Sequence, residues 1–201
     1  MSKTIWILRH GQSDLNRAER FSGRAHAVLT LKGKRDSAAI GKVIRKENSR
    51  VDGVFASPAF RARETALILC KKLDFDSKKI VFDPALVEQN FGWWEKKPRD
   101  EIETRFPGVV GNWRKDHYKV RPLHGENYWE IEKRVRPFVR KLKKSRLETI
   151  VVVTHANTMR LLLKCLLGLD REKTNRLKVH NTIFYQITEK NRVFRLKKRL
   201  V

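Results

Sequence analysis

The sequence predicts an α/β fold built on a largely parallel sheet. Short runs rich in β-branched and aromatic residues alternate with segments of helical periodicity along most of the chain. The run TIVVVTH at 149–155 is apolar almost throughout, which is typical of a central parallel strand covered on both faces. Strand–helix–strand units of this kind imply right-handed crossovers between neighbouring strands.

Five elements are predicted in the first half of the chain. TIWIL at 4–8 is a short buried strand, and residues 30–47 form a helix with apolar positions on one face. DGVFAS at 52–57 is the second strand, and residues 59–73 form the second helix. IVFD at 80–83 is a further short strand.

The second half begins with an irregular segment. Residues 88–130 contain three prolines and several aromatics between short helical stretches, which indicates an inserted cap rather than a regular layer. Helices are predicted at 130–147 and 157–169, on either side of the TIVVV strand. Two alternating runs, 182–188 and 192–197, predict a terminal hairpin that turns at Glu189-Lys190-Asn191. We interpret residues 1–201 as a single domain.

Charge is the unusual feature of the composition. The 201 residues include 46 Lys and Arg against 22 Asp and Glu, a formal net charge of +24. This surplus favours anionic partners such as phosphorylated metabolites, nucleic acid or a membrane surface. Cys70 and Cys165 lie in apolar helical runs and are predicted to be buried thiols rather than a disulfide. With no signal peptide or membrane span in view, we expect a cytoplasmic protein.

Basic side chains follow the predicted strands. The first strand ends at Arg9 and His10, the TIVVV strand ends at His155, and Arg61 lies at the start of the helix after the second strand. Parallel strands present their carboxyl ends at one edge of the sheet, where ligands of such sheets bind. No acidic residue lies among these four, so we expect a bound anion between them.

Phosphate is the anion that this set of residues favours. Guanidinium forks match phosphate oxygens, and helix N-termini add N–H donors. Asn157 and Thr158 are candidates to cap the helix after His155, and Gly11 would let the backbone pass close to a bound group. Taken one at a time, such a His also fits a hydrogen-bonded structural residue, and such an Arg fits a solvated surface charge.

Familiar metal and nucleotide motifs do not occur in the sequence. There is no His-Glu-x-x-His, no Cys-x-x-Cys, no P-loop and no Gly-x-Gly-x-x-Gly. Without a metal, phosphoryl transfer at this edge of the sheet needs a protein nucleophile, and histidine is the candidate available.

The ordered motifs of the chain resemble the histidine phosphatase superfamily, which includes phosphoglycerate mutases and phosphatases. The resemblance runs from residue 4 to about 188. Its seven blocks, in the family's order, are Arg9-His10-Gly11 with Asn16, FSG at 21–23, LTLKG at 29–33, SPAFRARETA at 57–66, LVEQNFGWWE at 86–95, GE at 125–126 and VVVTHANTMRLLL at 151–163. The implied fold is a three-layer α/β/α sandwich, phosphoglycerate mutase-like, with a helical cap inserted in the middle.

The resemblance implies a role for each matching residue. His10 would be the nucleophile and form a phosphohistidine, while Arg9, Arg61 and His155 would hold the phosphate oxygens. Glu88 would protonate the leaving oxygen and then activate water. No metal or cofactor is expected. The further residues expected at the phosphate or the substrate are Gly11, Asn16, Ser22, Gly23 and Asn157.

The resemblance covers both phosphatases and mutases, which differ in whether water or a second hydroxyl receives the phosphoryl group. The short chain and the stretch at 116–135 favour the phosphatase branch, acting on a small phosphorylated substrate. Trp113-Arg114-Lys115 is an imperfect form of the basic pair that the mutases carry in the cap. A phosphoglycerate mutase therefore remains the alternative.

The basic surplus keeps a third hypothesis open, an inactive member of the fold that binds nucleic acid or another polyanion. Residues 133–147 hold eight basic side chains and no acid, and residues 190–201 hold six basic side chains. These runs could be solvent-exposed faces of a helix and a strand. They could also steer phosphorylated substrates toward the site or bind a polyanion. Nucleic acid would bind only through non-specific charge, because aromatics are not interleaved with the basic runs in the sequence. The sequence leaves the oligomeric state open.

Overall fold

The computed structural model describes residues 3–47, 50–190 and 193–200. Within these residues it contains the strands β1 (Lys3–Arg9), β2 (Gly53–Ala56), β3 (Val81–Phe82), β4 (Thr149–Thr154), β5 (Ile183–Lys190) and β6 (Val193–Leu200). The α-helices of the same residues are α1 (Asp14–Arg17), α2 (Leu31–Glu47), α3 (Phe60–Leu73), α4 (Arg99–Arg105), α5 (Val109–Lys115), α6 (Tyr128–Lys144), α7 (Ala156–Leu167) and α8 (Arg171–Arg176).

These strands form one sheet in the order β3-β2-β4-β1-β5-β6. The pairs from β3 to β1 are parallel, and β5 and β6 add two antiparallel pairs at one side. β4 lies inside the sheet, between β1 and β2. The mostly parallel sheet and the central position of the TIVVV strand are therefore confirmed.

Each face of the sheet is covered by its own layer of helices. In β4, Ile150 and Val152 point to one face and Val151 and Val153 to the other, because alternate side chains of a strand face opposite ways. All four are 0% exposed. The first pair packs with α6 and α7, and the second packs with α3 and α2. This arrangement is the predicted α/β/α sandwich.

The C-terminal hairpin forms, but the predicted position of its turn is wrong. Glu189 and Lys190 belong to β5, where they pair with Phe194 and Val193 of β6. The extra pairing satisfies backbone groups that a turn at these residues would leave free. Asn191, the last residue of the predicted turn, lies outside the described residues.

Helix α6 begins inside the segment predicted as cap. The Asn127 side chain accepts a hydrogen bond from the Glu130 N–H at 3.2 Å, and the Glu130 carboxylate accepts one from the Asn127 N–H at 2.9 Å. This capping box satisfies two backbone donors at the helix start. The cap therefore ends before Tyr128 rather than near residue 130.

The cap forms a small apolar layer of its own. Its helices α4 and α5 pack with the aromatic segment before them, and the buried members of the cluster are Phe91, Trp94, Ile102, Val110 and Trp113. Phe21 reaches this cluster from the loop after α1, with its ring centroid 5.0 Å from that of Phe91. The cap is therefore anchored to the loop that follows the predicted nucleophile.

Both cysteines are free thiols, as predicted. Cys70 is buried and Cys165 is partly buried. Burial raises the pKa of the Cys70 thiol to about 11, so this thiol stays protonated near neutral pH. None of the helices in the described residues combines the length and the apolar composition of a membrane-spanning segment.

Candidate active site

Parallel pairing of β1 with β4 brings two of the predicted site segments together. Arg9 pairs with Thr154 at the last register position, and the His10 N–H donates to the Thr154 carbonyl at 2.9 Å. The next residue after each strand is a histidine, and the ring centroids of His10 and His155 are 5.0 Å apart. Residues far apart in the sequence thus become neighbours at the carboxyl edge of the sheet.

Two hydrogen bonds set the tautomer of His10. Its Nδ1 lies 2.7 Å from the Gly11 carbonyl oxygen, which can only accept, so Nδ1 carries the proton. Its Nε2 accepts a hydrogen bond from Nε of Arg61 at 3.0 Å, so Nε2 presents a lone pair. Burial, followed by the charges of Arg61 and Arg9, holds the pKa of His10 well below its usual value. The ring is therefore neutral, with Nε2 as its nucleophilic atom.

Arg61 connects the members of the cluster. It lies in the first turn of α3 and is 1% exposed. Besides the bond from its Nε, Nη2 donates to the Gly23 carbonyl at 2.6 Å and lies 3.1 Å from Nδ1 of His155, and Nη1 donates to a backbone carbonyl at 3.0 Å. Every guanidinium nitrogen is engaged, so the orientation of the planar group is fixed.

His155 is the N-cap residue of α7 and is 0% exposed. Because the Arg61 guanidinium can only donate, Nδ1 of His155 is unprotonated and its Nε2–H donates to Ser57 Oγ at 2.8 Å. Burial, followed by the charge of Arg61, holds the pKa of His155 well below its usual value. The pair of histidines is therefore neutral, and the positive charge of the cluster lies on arginine.

Arg9 supplies the second guanidinium of the cluster. Its Nη1 donates to the Val179 carbonyl at 3.1 Å, whereas its Nε is buried and has no hydrogen-bond partner among the described residues. Burial lowers the pKa of Arg9 to about 10, although the Glu88 carboxylate opposes this shift. Arg9 therefore remains charged near pH 7 and holds a buried donor available to a ligand.

Glu88 lies at the N-terminus of α7 and is 7% exposed. Its Oε1 accepts from the N–H groups of Gln89 at 2.9 Å, Asn157 at 3.2 Å and Thr158 at 3.3 Å. Oε2 makes a longer contact of 3.4 Å with the Asn157 N–H. Oε1 thus holds the carboxylate against the helix, and Oε2 is the oxygen with fewer hydrogen-bond donors.

A cavity of about 570 Å³ opens over these side chains. What we call the inner wall consists of Arg9, His10, Arg61 and Glu88, together with His155, which contacts Arg61. We call Trp113 and Arg114 of the cap, together with residues 175–180, the outer wall. The remaining lining residues are Asn16, Arg20, Phe21, Ser22, Gly23, Phe91, Ala156, Asn157 and Arg160. Six Arg and one Lys line the cavity, and Glu88 is the one acid among the lining residues that the structure describes.

Three of the residues expected at the phosphate also line this cavity. Ser22 Oγ is buried without a hydrogen-bond partner among the described residues, so it is a free group for a ligand. Asn16 lines the cavity, and its Oδ1 accepts from the Ser13 N–H at 3.2 Å. Gly23 has φ +48, and a Cβ there would meet Glu95 Oε1 at 2.2 Å, so only glycine leaves its carbonyl in place for Arg61.

The other two expected residues have different surroundings from those predicted. A Cβ on Gly11 would meet the Gly33 carbonyl oxygen at 2.4 Å, so Gly11 permits close packing against α2 rather than passage of backbone beside a ligand. Asn157 lines the cavity, but neither it nor Thr158 caps α7, because both lie in the first turn and bind Glu88 through their N–H groups. The Asn157 Oδ1 accepts from the Tyr128 hydroxyl at 2.8 Å.

Sequence reasoning missed much of the outer wall and also the lining residue Arg160. Arg160 lies one turn after Asn157 on α7 and donates to its Oδ1 at 3.0 Å, a spacing that the sequence offered. Residues 175–180 all line the cavity, yet they carry no motif that could have pointed to them. Trp113 Nε1 and Asn175 Oδ1 are buried without a partner among the described residues, so both are free for a ligand.

The cavity relies on guanidinium groups for its positive charge. Among residues 3–47, 50–190 and 193–200, no three His, Cys, Asp or Glu side chains converge as metal ligands. Two guanidinium groups beside a neutral imidazole can hold an anion next to an unprotonated ring nitrogen.

Comparisons with known proteins place this geometry in a family. The 2,3-bisphosphoglycerate-dependent phosphoglycerate mutase of Bartonella henselae is 29% identical over 177 residues, which cover 86% of this chain and 85% of that protein. Phosphoserine phosphatase 1 of Hydrogenobacter thermophilus is 26% identical over 168 residues, covering 83% of this chain and 77% of that protein. The structure of a mycobacterial glucosyl-3-phosphoglycerate phosphatase in complex with VO3 matches with a TM-score of 0.86 and 25% identity, over 97% of each chain.

The family match extends over almost the whole chain. The family described as histidine phosphatase superfamily (branch 1) matches residues 5–200, which include both ends of the sheet and the cap. The relatives include both phosphatases and mutases, so the comparisons agree with the two activities that the motifs imply. This protein belongs to the histidine phosphatase superfamily.

Proposed function

We propose that this protein hydrolyses phosphate monoesters without a metal ion, through a phosphohistidine formed on His10. The observation that carries the proposal is the neutral His10 ring. Its Nε2 lone pair lies 3.0 Å from Nε of Arg61, in a cavity that Arg9 also lines. When a phosphoryl group binds here, Arg61 would donate to the phosphoryl oxygens instead of to Nε2 of His10. Nε2 is then free to attack phosphorus.

In the first step, Nε2 of His10 attacks phosphorus and the bond to the ester oxygen breaks. Arg9 and Arg61 neutralise the charge that spreads over the phosphoryl oxygens. His155 adds a third contact, because a bound phosphate dianion favours the protonated form of its Nδ1. A proton on Glu88 passes to the leaving oxygen, so the alcohol departs neutral.

In the second step, Glu88 as carboxylate takes a proton from water, and the water oxygen attacks the phosphorus of the phosphohistidine. The P–N bond breaks, inorganic phosphate leaves, and His10 recovers its neutral ring. The N–H groups at the start of α7 bind Oε1 and so hold the Glu88 carboxylate in the cavity wall for both steps.

Access of water supports hydrolysis over transfer to a second hydroxyl. Arg114, Arg176 and Lys178 line the cavity and are exposed, so its mouth reaches solvent. A mutase has to keep water from its phosphohistidine until the second hydroxyl arrives. The phosphoserine phosphatase and glucosyl-3-phosphoglycerate phosphatase relatives support the same choice.

Phosphoglycerate mutation is the second candidate. The relatives named as mutases favour it, as does Arg114, which follows Trp113 in the cavity wall and resembles the basic pair of the mutase cap. In either case the substrate is a small phosphorylated molecule. The free thiols Cys70 and Cys165 support a cytoplasmic location as part of this proposal.

A panel of esters tests the proposal. Purified protein in EDTA is incubated with 3-phosphoglycerate, phosphoserine, fructose 2,6-bisphosphate and p-nitrophenyl phosphate, and free phosphate and 2-phosphoglycerate are measured together. We expect phosphate release, with acid-labile label on His10 after a pulse of 32P-labelled substrate. Isomerisation faster than release would make the protein a mutase. Neither product from any ester would overturn both enzymatic functions.

A further inference from the structure

We propose that helix α6 and the groove beside it form a binding site for single-stranded nucleic acid, separate from the catalytic cavity. The site rests on a stripe of exposed side chains along α6, which we call the α6 stripe: Trp129, Lys133, Arg136, Arg140 and Lys143. Their spacing of i, i+4, i+7, i+11 and i+14 places them on one face of the helix. At 1.5 Å per residue, the stripe is about 21 Å long, enough for several nucleotides.

A concave groove accompanies the cationic part of the stripe. This groove has a volume of about 370 Å³, with Val139 and Cys165 contributing apolar surface and Arg136, Arg140, Lys143 and Lys164 contributing charge. Glu132 is the one acid among its described lining residues. That carboxylate is 2% exposed and lies 2.9 Å from Lys164 Nζ, and it also contacts Arg136. The groove is therefore positive toward solvent.

An aromatic platform lies at the other end of the stripe. Trp129 is 51% exposed, and the guanidinium of Arg171 lies 4.7 Å from its ring centroid. The same guanidinium lies 4.6 Å from the ring of Tyr118, whose hydroxyl donates to Glu132 at 3.3 Å. The platform and the groove are thus linked by direct contacts.

Aromatics are not interleaved with the basic run in the sequence, but the fold brings an aromatic ring beside it. Trp129 precedes the run in the sequence, but the helix aligns it with the cations, and α8 contributes Arg171 from a distant segment. A basic groove that follows the phosphates, combined with an aromatic ring and an Arg beside it, is the pattern with which proteins bind single strands. A flat bilayer surface cannot enter a concave groove, whereas a flexible single strand can.

The proposed site and the catalytic cavity lie at opposite ends of α7. Ala156 and Asn157, at its N-terminus, line the catalytic cavity, whereas Lys164 and Cys165, near its C-terminus, line the groove. The two sets of lining residues do not overlap. A strand bound along α6 therefore leaves the cavity open, and binding does not depend on the proposed catalytic activity.

Fluorescence anisotropy of the full chain with labelled oligouridylate and oligothymidylate of about 12 nucleotides tests the proposal. The test variant is Lys133→Gln/Arg140→Gln/Lys143→Gln. The matched control, Arg35→Gln/Lys42→Gln/Lys46→Gln, removes the same charge from an exposed stripe of α2. We expect the test variant to bind at least tenfold more weakly and the control to bind like the parent. The slope of log affinity against log salt should become shallower by about two, since three cations at roughly 0.7 each are lost.

Two further arms separate a nucleic-acid site from a general polyanion surface. Trp129→Ala should weaken oligonucleotide binding by about fivefold or more, because a stacking partner is lost, and leave binding of inorganic polyphosphate unchanged. His10→Ala should bind as the parent does. Equal losses in the α6 and α2 variants, an unchanged Trp129→Ala affinity, or binding to phosphatidylserine vesicles without binding to oligonucleotides would each overturn the proposal. Thermal unfolding of each variant establishes that it is folded.

Discussion

The inner wall of the catalytic cavity consists of side chains fixed at the ends of buried parallel strands, whereas the outer wall comes from the cap and the segment around α8. In the inner wall every guanidinium nitrogen of Arg61 has a partner, and His10 and His155 are almost fully buried. In the outer wall Arg114 and Lys178 are exposed, and Trp113 Nε1 is free for a ligand. On this difference we base the proposal that the inner wall performs the chemistry and the outer wall selects the substrate.

The physical basis of the difference is the scaffold. Strands that are hydrogen-bonded to a neighbour on each side are rigid. The side chains at their ends are therefore positioned with the precision that phosphoryl transfer requires. A cap with its own small core, connected to the domain through Phe21, can change its lining without disturbing the sheet. Four predictions test this separation.

Removal of the proposed nucleophile should have the largest effect. His10→Ala is expected to reduce phosphate release by at least about 10³-fold, because no other group in the inner wall has a free lone pair at the required position. His180→Ala, which removes an exposed histidine of the outer wall, is the matched control and should retain most of the activity. Equal losses in the two variants would remove the distinction between the walls.

Removal of the proposed acid should have a smaller effect that depends on the leaving group. Glu88→Gln is expected to lose about 10²-fold with alkyl esters, the usual contribution of general acid catalysis. The loss should be much smaller with p-nitrophenyl phosphate, whose leaving group departs without a proton. A steady-state comparison of the two substrates checks this, and an equal loss with both would mean that Glu88 acts only through structure.

Neutralisation of the outer wall should alter substrate binding rather than chemistry. Arg114→Gln and Lys178→Gln are expected to raise KM by roughly tenfold for esters that carry a second anionic group, because each removes a cation that faces the cavity. The kcat for these esters and both constants for p-nitrophenyl phosphate should stay close to the parent values. A fall in kcat with unchanged KM would place these residues in the chemical step.

Three buried histidines, two of them in the inner wall, should make the free energy of unfolding depend on pH. The pKa values of His10 and His155 lie well below 6.5 in the folded protein, and that of His117 is about 4, so the unfolded chain binds more protons below about pH 6.5. The free energy of unfolding has its full value above that pH. It decreases as the pH falls, by up to about 1.4 kcal/mol per pH unit for each histidine. Urea denaturation between about pH 7.5 and 5 measures the slope, which His155→Asn should reduce.

The strand-end members of the inner wall could be predicted from the sequence because their signals are local, whereas Glu88 was implied only by the family resemblance. Each of Arg9, His10 and His155 follows directly from a β-branched run, and the apolar character of TIVVV predicts a central strand. Parallel pairing then places the strand ends together without further information. The prediction for Gly11 was wrong in its reason, because the close approach of Gly33 depends on how α2 packs.

The outer wall and the α6 stripe could not be predicted in the same way. Residues 175–180 have no periodicity or motif, and they reach the cavity only because β5 returns beside β1. Likewise, Arg171 lies far from Trp129 in the sequence and contacts it only where α8 packs near the start of α6. Contacts of this kind depend on the relative positions of whole elements rather than on neighbouring residues.

The sequence by itself determined the mostly parallel sheet and the residues at the carboxyl ends of its strands, because strand propensity and the carboxyl-edge rule act on short segments. The role proposed for His10 came from the family resemblance of the motifs. Only the tertiary structure decided the tautomer of His10, the contact of Glu88 with the start of α7 and the composition of the outer wall. These features depend on distances between segments that are remote in the chain. Side-chain packing and hydrogen bonding in the folded state set those distances.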